Sequence, residues 1–191
     1  ICNMHSDNWA IKAKQMGYRS RAVFKLEEIL NKLNHNKLYT NVLDLGSAPG
    51  GWSQYIAKKN PKSNIFAIDI LDMEPISGVT FVNADIQNID DIEIIHSIKG
   101  EFDLVISDIA PNLTGIKAVD EENIFELNLL SVNVANQYLK NLNATMVIKT
   151  FQNSNFKNLR KHMELLFKIV QTYKPAASKN KSAEIYLYGA R

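Results

Sequence analysis

The stretch from Asn41 to Gln54, NVLDLGSAPGGWSQ, constrains this chain more than any other. It begins at 42–45 as a short, mostly apolar run with the length of a buried parallel strand. A turn of small residues follows at 46–51, and residues 52–59 are typical of a helix. Glycines between a strand and a helix let a ligand approach the backbone, and the start of the helix offers free N–H groups. The pattern predicts a cofactor-binding turn; the simpler alternative is a tight strand-to-helix connection.

The turn differs from the dinucleotide-binding pattern G-x-G-x-x-G. Pro49 lies inside it, and three residues separate Gly46 from Gly50, so a nicotinamide-dependent reductase is disfavoured. Asp44 interrupts the apolar run, and a buried carboxyl group needs a hydrogen-bond partner. The sequence thus indicates a nucleotide-type ligand at this turn, other than a nicotinamide dinucleotide.

The rest of the chain alternates between apolar runs and amphipathic stretches. Further strands are predicted at 64–69, 79–82, 102–108, 144–149, 167–173 and 183–189. Further helices are predicted at 22–30, 90–99, 123–139 and 156–166. This alternation predicts an α/β fold with one open, mostly parallel sheet and helices on both faces. We expect a single domain over residues 1–191, of which 1–16 form a loosely ordered N-terminal extension.

Composition narrows the class of protein. The 191 residues, 46% of them hydrophobic, suffice for one substantial core, and no apolar run approaches the length of a membrane span. The single cysteine, Cys2, cannot form an intrachain disulfide or a cysteine-based zinc site, which favours a reducing compartment. Because the sequence starts at Ile1, we expect a missing upstream segment, which leaves cytoplasm, nucleolus, mitochondrion and other organelles open.

Basic residues concentrate in two segments. Residues 12–37 contain seven lysines and arginines against two acidic residues, and residues 157–181 contain seven against one. Since the formal net charge is only +2, the remainder of the chain is acidic. This distribution predicts a polyanion bound at one edge of the molecule. For any single lysine, the simpler interpretation is a solvated residue on a helix face.

Polar residues follow several predicted strands. In an open parallel sheet, ligands bind at the carboxyl edge of the strands. Gly50, Asp69, Asp85, Asp108 and Lys149 all fall at or just past that edge. Asp69 follows Gly50 by 19 residues, the spacing of an acid that accepts hydrogen bonds from ribose hydroxyls. Each acid alone could instead cap a helix or lie in solvent.

Lys149 directly follows the apolar residues 146–148. A buried ammonium is costly unless it is paired, and a desolvated lysine gives up its proton more readily. Such a lysine can act as a general base near neutral pH. The alternative is an amine that reaches out to solvent. Glu184 and Lys25 carry no comparable signal in isolation.

Several pieces of the sequence together resemble the FtsJ-type S-adenosylmethionine-dependent RNA ribose 2′-O-methyltransferases. The pieces are GYRSRAVFKL at 17–26, DLGSAPGGWSQ at 44–54, SDIAPN at 107–112 with Gly115 and Val119-Asp120, VIK at 147–149 and EIY at 184–186. They occur in the family's order over nearly the whole chain. The resemblance implies a Rossmann-like methyltransferase sheet of seven strands with the last antiparallel, and S-adenosylmethionine as cofactor.

The resemblance also implies roles for individual residues. The family's Lys-Asp-Lys-Glu catalytic set falls on Lys25, Asp108, Lys149 and Glu184. Its cofactor contacts fall on Gly50, Trp52, Asp69, Asp85 and Asp108. In this reading, Asp69 binds the ribose hydroxyls and Asp85 the adenine side. Lys149 takes the proton of the 2′-hydroxyl while Lys25 adds positive potential, and the two other acids orient the amines. No metal ion is expected.

The implied substrate is RNA. The GGW at 50–52 and the full SDIAPN loop favour a uridine of large-subunit ribosomal RNA, within a large ribosomal subunit. Two alternatives remain: a transfer RNA 2′-O-methyltransferase of the same family, and a non-catalytic RNA-binding or ribosome-assembly module. The joint presence of Lys149 and Glu184 argues against the second. We expect a monomer without membrane association. One departure is lysine at 179 and 181, where relatives often carry arginine, which puts phosphate affinity in doubt.

Overall fold

The computed structural model describes residues 8–33, 37–178 and 182–191. Seven strands are found there: β1 Asn41–Leu45, β2 Asn64–Asp69, β3 Val79–Asn83, β4 Leu104–Ser107, β5 Thr145–Phe151, β6 Ile169–Tyr173 and β7 Glu184–Ala190. They form one sheet in the order β3-β2-β1-β4-β5-β7-β6. The pairs from β3 to β5 are parallel, whereas β7 is antiparallel to both β5 and β6. The predicted seven-stranded, mostly parallel sheet with an antiparallel last strand is confirmed.

Six α-helices accompany the sheet in the described part of the chain. They are α1 Asn8–Gln15, α2 Val23–Leu33, α3 Gly51–Lys59, α4 Glu93–His96, α5 Lys117–Tyr138 and α6 Phe156–Leu166. Strand residues alternate between the two faces: Leu104 and Ile106 pack with α2 and α3, while Val105 packs with α5 and α6. Helices thus cover both faces of the sheet, as predicted.

The ends of several helices differ from the sequence prediction. Where a loose extension was expected over residues 1–16, Asn8–Gln15 form α1, because the Trp9 ring packs 5.1 Å from that of Phe24; residues 1–7 lie outside the described part. Helix α5 starts at Lys117 rather than at residue 123. The sequence prediction missed its first turns because they are largely exposed and carry no apolar periodicity. The helix expected at 90–99 is a 3-10 helix, Ile86–Asp91, followed by the single turn of α4.

The topology brings the predicted site residues to one edge. Strand β1 lies between β2 and β4. The strands that follow β1 in sequence are added first on one side of it, as β2 and β3, and then on the other side, as β4 and β5, so the strand order reverses at β1. The crevice at such a reversal, outside the carboxyl ends of the strands, is where open α/β sheets bind ligands. The turn after β1 is therefore beside the carboxyl end of β4, which precedes Asp108, and β5 with Lys149 is the next strand.

Each of the two basic segments extends from the carboxyl edge of the sheet toward the amino edge, so its lysines do not gather at one edge. Helix α2 runs from the carboxyl edge, where Lys25 pairs with Glu184, toward the start of β1. Lys37 accordingly donates a hydrogen bond to the Asn143 carbonyl just before β5, at the amino edge. Helix α6 likewise runs away from the carboxyl end of β5, and Lys168 follows its far end. Lys179 and Lys181 lie outside the described residues.

Within the described ranges, no helix combines the length and apolar character required to cross a membrane.

Candidate active site

The turn after β1 is closely packed. Gly50 has φ +105° and precedes α3 in a left-handed conformation. A Cβ at Gly50 would lie 2.6 Å from the Ile76 Cδ1 and 2.9 Å from the Met73 Sδ, and one at Gly51 would lie 2.9 Å from the Ser20 Cβ. Glycine is therefore required at position 50 by the left-handed conformation, and at position 51 by the closeness of Ser20. The turn is held between the β2–β3 loop and the segment before α2.

Asp44 has the partner that its burial demands, but only on one oxygen. The Ser53 hydroxyl donates to Oδ2 at 2.6 Å, whereas Oδ1 has no hydrogen-bond partner within the described residues. Burial raises the pKa of the Asp44 carboxyl to about 7. Asp44, Ser47 and Asp108 line one small cleft together with Pro49 and Trp52. The cleft thus holds buried polar atoms with unused hydrogen-bonding capacity.

Asp69 and Asp85, the two predicted nucleoside ligands, have different local roles. Asp69 accepts hydrogen bonds from Ala48 N and Leu71 N, one on each oxygen and both at 2.9 Å. Because each carboxylate oxygen can accept more than one hydrogen bond, Asp69 retains capacity for a diol. Asp85 accepts from Gln87 N at 2.9 Å and caps the 3-10 helix. Asp85 therefore caps a helix, which was the alternative role considered for it from the sequence.

The Trp52 side chain is a structural link. Its indole is 3% exposed, and Nε1 donates to the Ala22 carbonyl at 2.9 Å. This bond joins α3 to the segment before α2, which positions Lys25. Because the indole N–H already donates to Ala22, only other atoms of Trp52 could contact a cofactor in this cleft.

The four predicted catalytic residues form two ion pairs. The Lys149 Nζ lies 2.9 Å from Oδ1 of Asp108 and donates to the Asp108 carbonyl at 2.7 Å. The Lys25 Nζ lies 2.5 Å from Oε1 of Glu184. Both lysine side chains are largely buried, at 11% and 9% exposure. Two amines and two carboxylates thus meet at the carboxyl edge, beside the glycine turn.

The two pairs influence each other electrostatically. Burial raises the pKa of Asp108, while the charges of Lys149 and Lys25 oppose the increase. Burial would also raise the pKa of Glu184, but hydrogen bonds from Lys25 and Tyr186 and the charge of Lys149 bring it below its usual value. Each carboxylate therefore senses the lysine of the other pair, so that the four groups form one cluster.

Sequence reasoning gave no role to two residues that support this cluster. The Tyr186 hydroxyl donates to Oε1 of Glu184 at 2.9 Å, and the Lys25 Nζ lies 5.9 Å from the centre of its ring. The signal was present, since residues two apart on a strand share a face. Asn128 on α5 donates to the Lys149 carbonyl at 3.1 Å; nothing in the sequence marked it.

Arg19 is a further residue of unforeseen importance. Its guanidinium donates to the carbonyls of Glu74 at 2.6 Å, Pro75 at 2.8 Å and Pro49 at 3.2 Å. In the sequence, Arg19 is one of the basic residues from which polyanion binding is predicted. Instead, Arg19 ties the segment that leads to Lys25 to the glycine turn and to the loop after Asp69.

Comparison with known proteins agrees with this geometry. A family model described as FtsJ-like methyltransferase matches residues 18–191. The chain belongs to the FtsJ-like methyltransferase family. The resemblance stated from the sequence is thereby confirmed, and the protein is a methyltransferase of the FtsJ-like type.

Individual FtsJ-like relatives are similar over most of their length. A Ribosomal RNA large subunit methyltransferase E of Hydrogenovibrio crunogenus is 43% identical over 188 residues, covering 96% of this chain and 90% of that protein. The protein of the same name from Nitrosospira multiformis is 41% identical over 190 residues, with the same coverage. The crystal structure of a ribosomal RNA methyltransferase from Plasmodium falciparum has a TM-score of 0.80 and 33% identity, covering 91% of this chain and 98% of that one.

Proposed function

We propose that this protein transfers a methyl group from S-adenosylmethionine to the ribose 2′-hydroxyl of a uridine in large-subunit ribosomal RNA. The observation that carries the proposal is the pairing of Lys149 with Asp108, and of Lys25 with Glu184, beside the glycine turn. The printed names of the relatives support ribosomal RNA of the large subunit as substrate. We also propose that the protein acts as a monomer on the large subunit, in whichever compartment assembles it.

The residues of the cleft fit S-adenosylmethionine. The unpaired Oδ1 of Asp44 suits a ligand that carries an ammonium group. Asp69 would accept the ribose hydroxyls, Asp85 would lie on the adenine side, and the backbone at Gly50 permits close approach. When bound, the cofactor supplies an electrophilic methyl group on a positively charged sulfur.

The amine cluster supplies the proton transfer. The ribose hydroxyl must lose its proton as it attacks, and the amine nitrogen of Lys149 is the acceptor. The Lys25 ammonium stabilises the negative charge that develops on the 2′-oxygen. Asp108 fixes Lys149 through its carboxylate and its carbonyl. Glu184 and Tyr186 fix Lys25, so that the geometry is set before the substrate arrives.

The proposal is tested by mapping ribose methylation after incubation with labelled cofactor. Large subunits lacking ribose methylation, protein-free ribosomal RNA and transfer RNA are offered separately. We expect a single 2′-O-methyluridine in large-subunit ribosomal RNA. Methylation of transfer RNA alone, or of a base rather than a ribose, would overturn the substrate assignment.

Replacement of Lys149 tests its role as general base. Lys149→Ala should abolish methylation while calorimetric binding of S-adenosylmethionine survives, because the amine handles the proton and not the cofactor. Lys149→Arg retains the charge but accepts no proton, so it should be equally inactive. Lys168→Ala, an exposed lysine at the amino edge, should retain full activity. Loss of cofactor binding together with activity in Lys149→Ala would contradict the role.

A further inference from the structure

The loop between β4 and α5 and the first turn of α5 expose three large apolar side chains. Leu113 is 70% exposed, Ile116 62% and Val119 42%. We call these three residues the apolar tip. All residues from 112 to 119 are exposed, so the tip is not part of either core cluster. Apolar residues grouped on a surface mark interaction sites more often than residues scattered singly do.

The loop that carries the apolar tip is held in one conformation. The Asp120 carboxylate accepts hydrogen bonds from Thr114 N and Thr114 Oγ1, both at 2.7 Å, and from Gly115 N at 3.1 Å. These bonds hold the pKa of Asp120 below its usual value, so the carboxylate stays ionised. Thr114 Oγ1 in turn accepts from Ile116 N at 3.1 Å. A fixed loop with an exposed apolar tip loses little conformational entropy on binding.

The apolar tip is anchored to both sides of the active site. Leu113 follows Asp108 by five residues, which limits their Cα separation to about 18 Å. At the start of the loop, Ile109 packs directly on the glycine turn, at Gly46. Behind the tip, Glu121 and Glu122 on α5 accept hydrogen bonds from Ser154 and Asn155, which follow β5. The tip therefore borders the carboxyl edge at which Lys149 lies.

We propose that the apolar tip packs against unstacked bases that flank the methylated nucleotide. This inference rests on the proposed function, because it requires RNA at the adjoining site. Sequence-specific recognition of RNA favours splayed-out bases, and apolar side chains insert between bases at other nucleic-acid interfaces. Lys117, at the start of α5, has a side chain that is 90% exposed, and its Nζ lies 3.8 Å from Oε1 of Glu121, a long surface ion pair that it can exchange for a neighbouring phosphate.

Kinetics of tip variants test the proposal. In Leu113→Ser, the KM for RNA should rise about tenfold, as expected for loss of a leucine that becomes partly buried in the complex with RNA, with little change in kcat. Leu113→Met should restore the KM, and Asp120→Ala should raise it, since the loop is released. Binding of S-adenosylmethionine should be unchanged in all three. The matched control is Leu142→Ser, a loop leucine of 65% exposure before β5, at the opposite edge.

A photo-crosslinking amino acid at position 113 identifies the partner. With large ribosomal subunits or protein-free ribosomal RNA, whichever the wild type methylates, we expect crosslinks to RNA near the modified ribose. Crosslinks to ribosomal protein alone, or a KM in Leu113→Ser equal to that of the control, would overturn the proposal. If the wild type methylates no RNA, the proposed function itself is wrong. An active wild type with unaffected tip variants would instead contradict only the role of the apolar tip.

Discussion

Asp44 is a fully buried acid whose carboxyl group has a hydrogen-bond partner on only one of its two oxygens within the described residues. Its side chain is fully buried, and the Ser53 hydroxyl satisfies one oxygen only. Burial is the main reason that its pKa rises from 3.8 to about 7, and the charges of Asp108 and Asp69 add to the effect. A residue that gains a proton so close to neutrality links the stability of the fold around the glycine turn to pH.

The pH dependence of stability should change in Asp44→Asn. Between about pH 4 and 7, the folded wild type binds a proton that the unfolded chain does not, so its free energy of unfolding falls as the pH rises. The asparagine does not titrate. From pH 5 to 7, urea denaturation should therefore show the wild type losing about 2–3 kcal/mol more than Asp44→Asn. Parallel curves for the two proteins would contradict a raised pKa.

At the scale of elements, the site depends on how three segments are fastened together. The segment before α2 brings Lys25, the turn after β1 forms the cleft, and the β2–β3 loop covers Gly50. Arg19 donates to carbonyls in the turn and in the loop. The Trp52 indole adds a second link, through the Ala22 carbonyl. The glycine turn and the segment that leads to Lys25 are therefore coupled.

Loss of the Arg19 contacts should weaken cofactor binding. Three partly exposed hydrogen bonds contribute about 1–2 kcal/mol in all, so Arg19→Ala should raise the Kd for S-adenosylmethionine about tenfold by calorimetry. Arg19→Lys should recover only part of the affinity, since an ammonium lacks the planar fork that reaches several carbonyls. Lys14→Ala, an exposed basic residue in the preceding helix, serves as control. An unchanged Kd in Arg19→Ala would show that the turn keeps its shape without it.

On the scale of the whole molecule, helix direction distributes the basic residues. Helices α2 and α6 run from the carboxyl edge to the amino edge, so the basic residues of each segment are spread between the two edges. Lys157, at the start of α6, is exposed near the carboxyl edge, whereas Lys168 is exposed at the opposite one. Of these two described lysines, Lys157 can contact an RNA whose ribose lies at Lys149, whereas Lys168 lies at the opposite edge.

The salt dependence of RNA binding should distinguish lysines near the carboxyl edge, such as Lys157, from those at the amino edge, such as Lys168. With three to four phosphate contacts, a plot of log affinity against log salt should have a slope of roughly −2 to −3. Lys157→Ala should reduce the magnitude of the slope by about 0.7, as one released contact requires. Lys168→Ala should leave it unchanged. Equal slopes for the two variants, or an affinity that does not respond to salt, would contradict RNA binding at the carboxyl edge.

The sequence by itself determined the sheet, the glycine turn and the family, because hydrophobic periodicity and motif spacing are local properties of the chain. It also marked Lys149 and Asp108, since strand ends can be read from the alternation of apolar runs. Only the tertiary structure could pair Lys25 with Glu184, 159 positions apart along the chain. The same holds for the Arg19 contacts, the Tyr186 bond and the separation of the lysines by helix direction. These depend on which elements become neighbours, and packing of the whole molecule decides that.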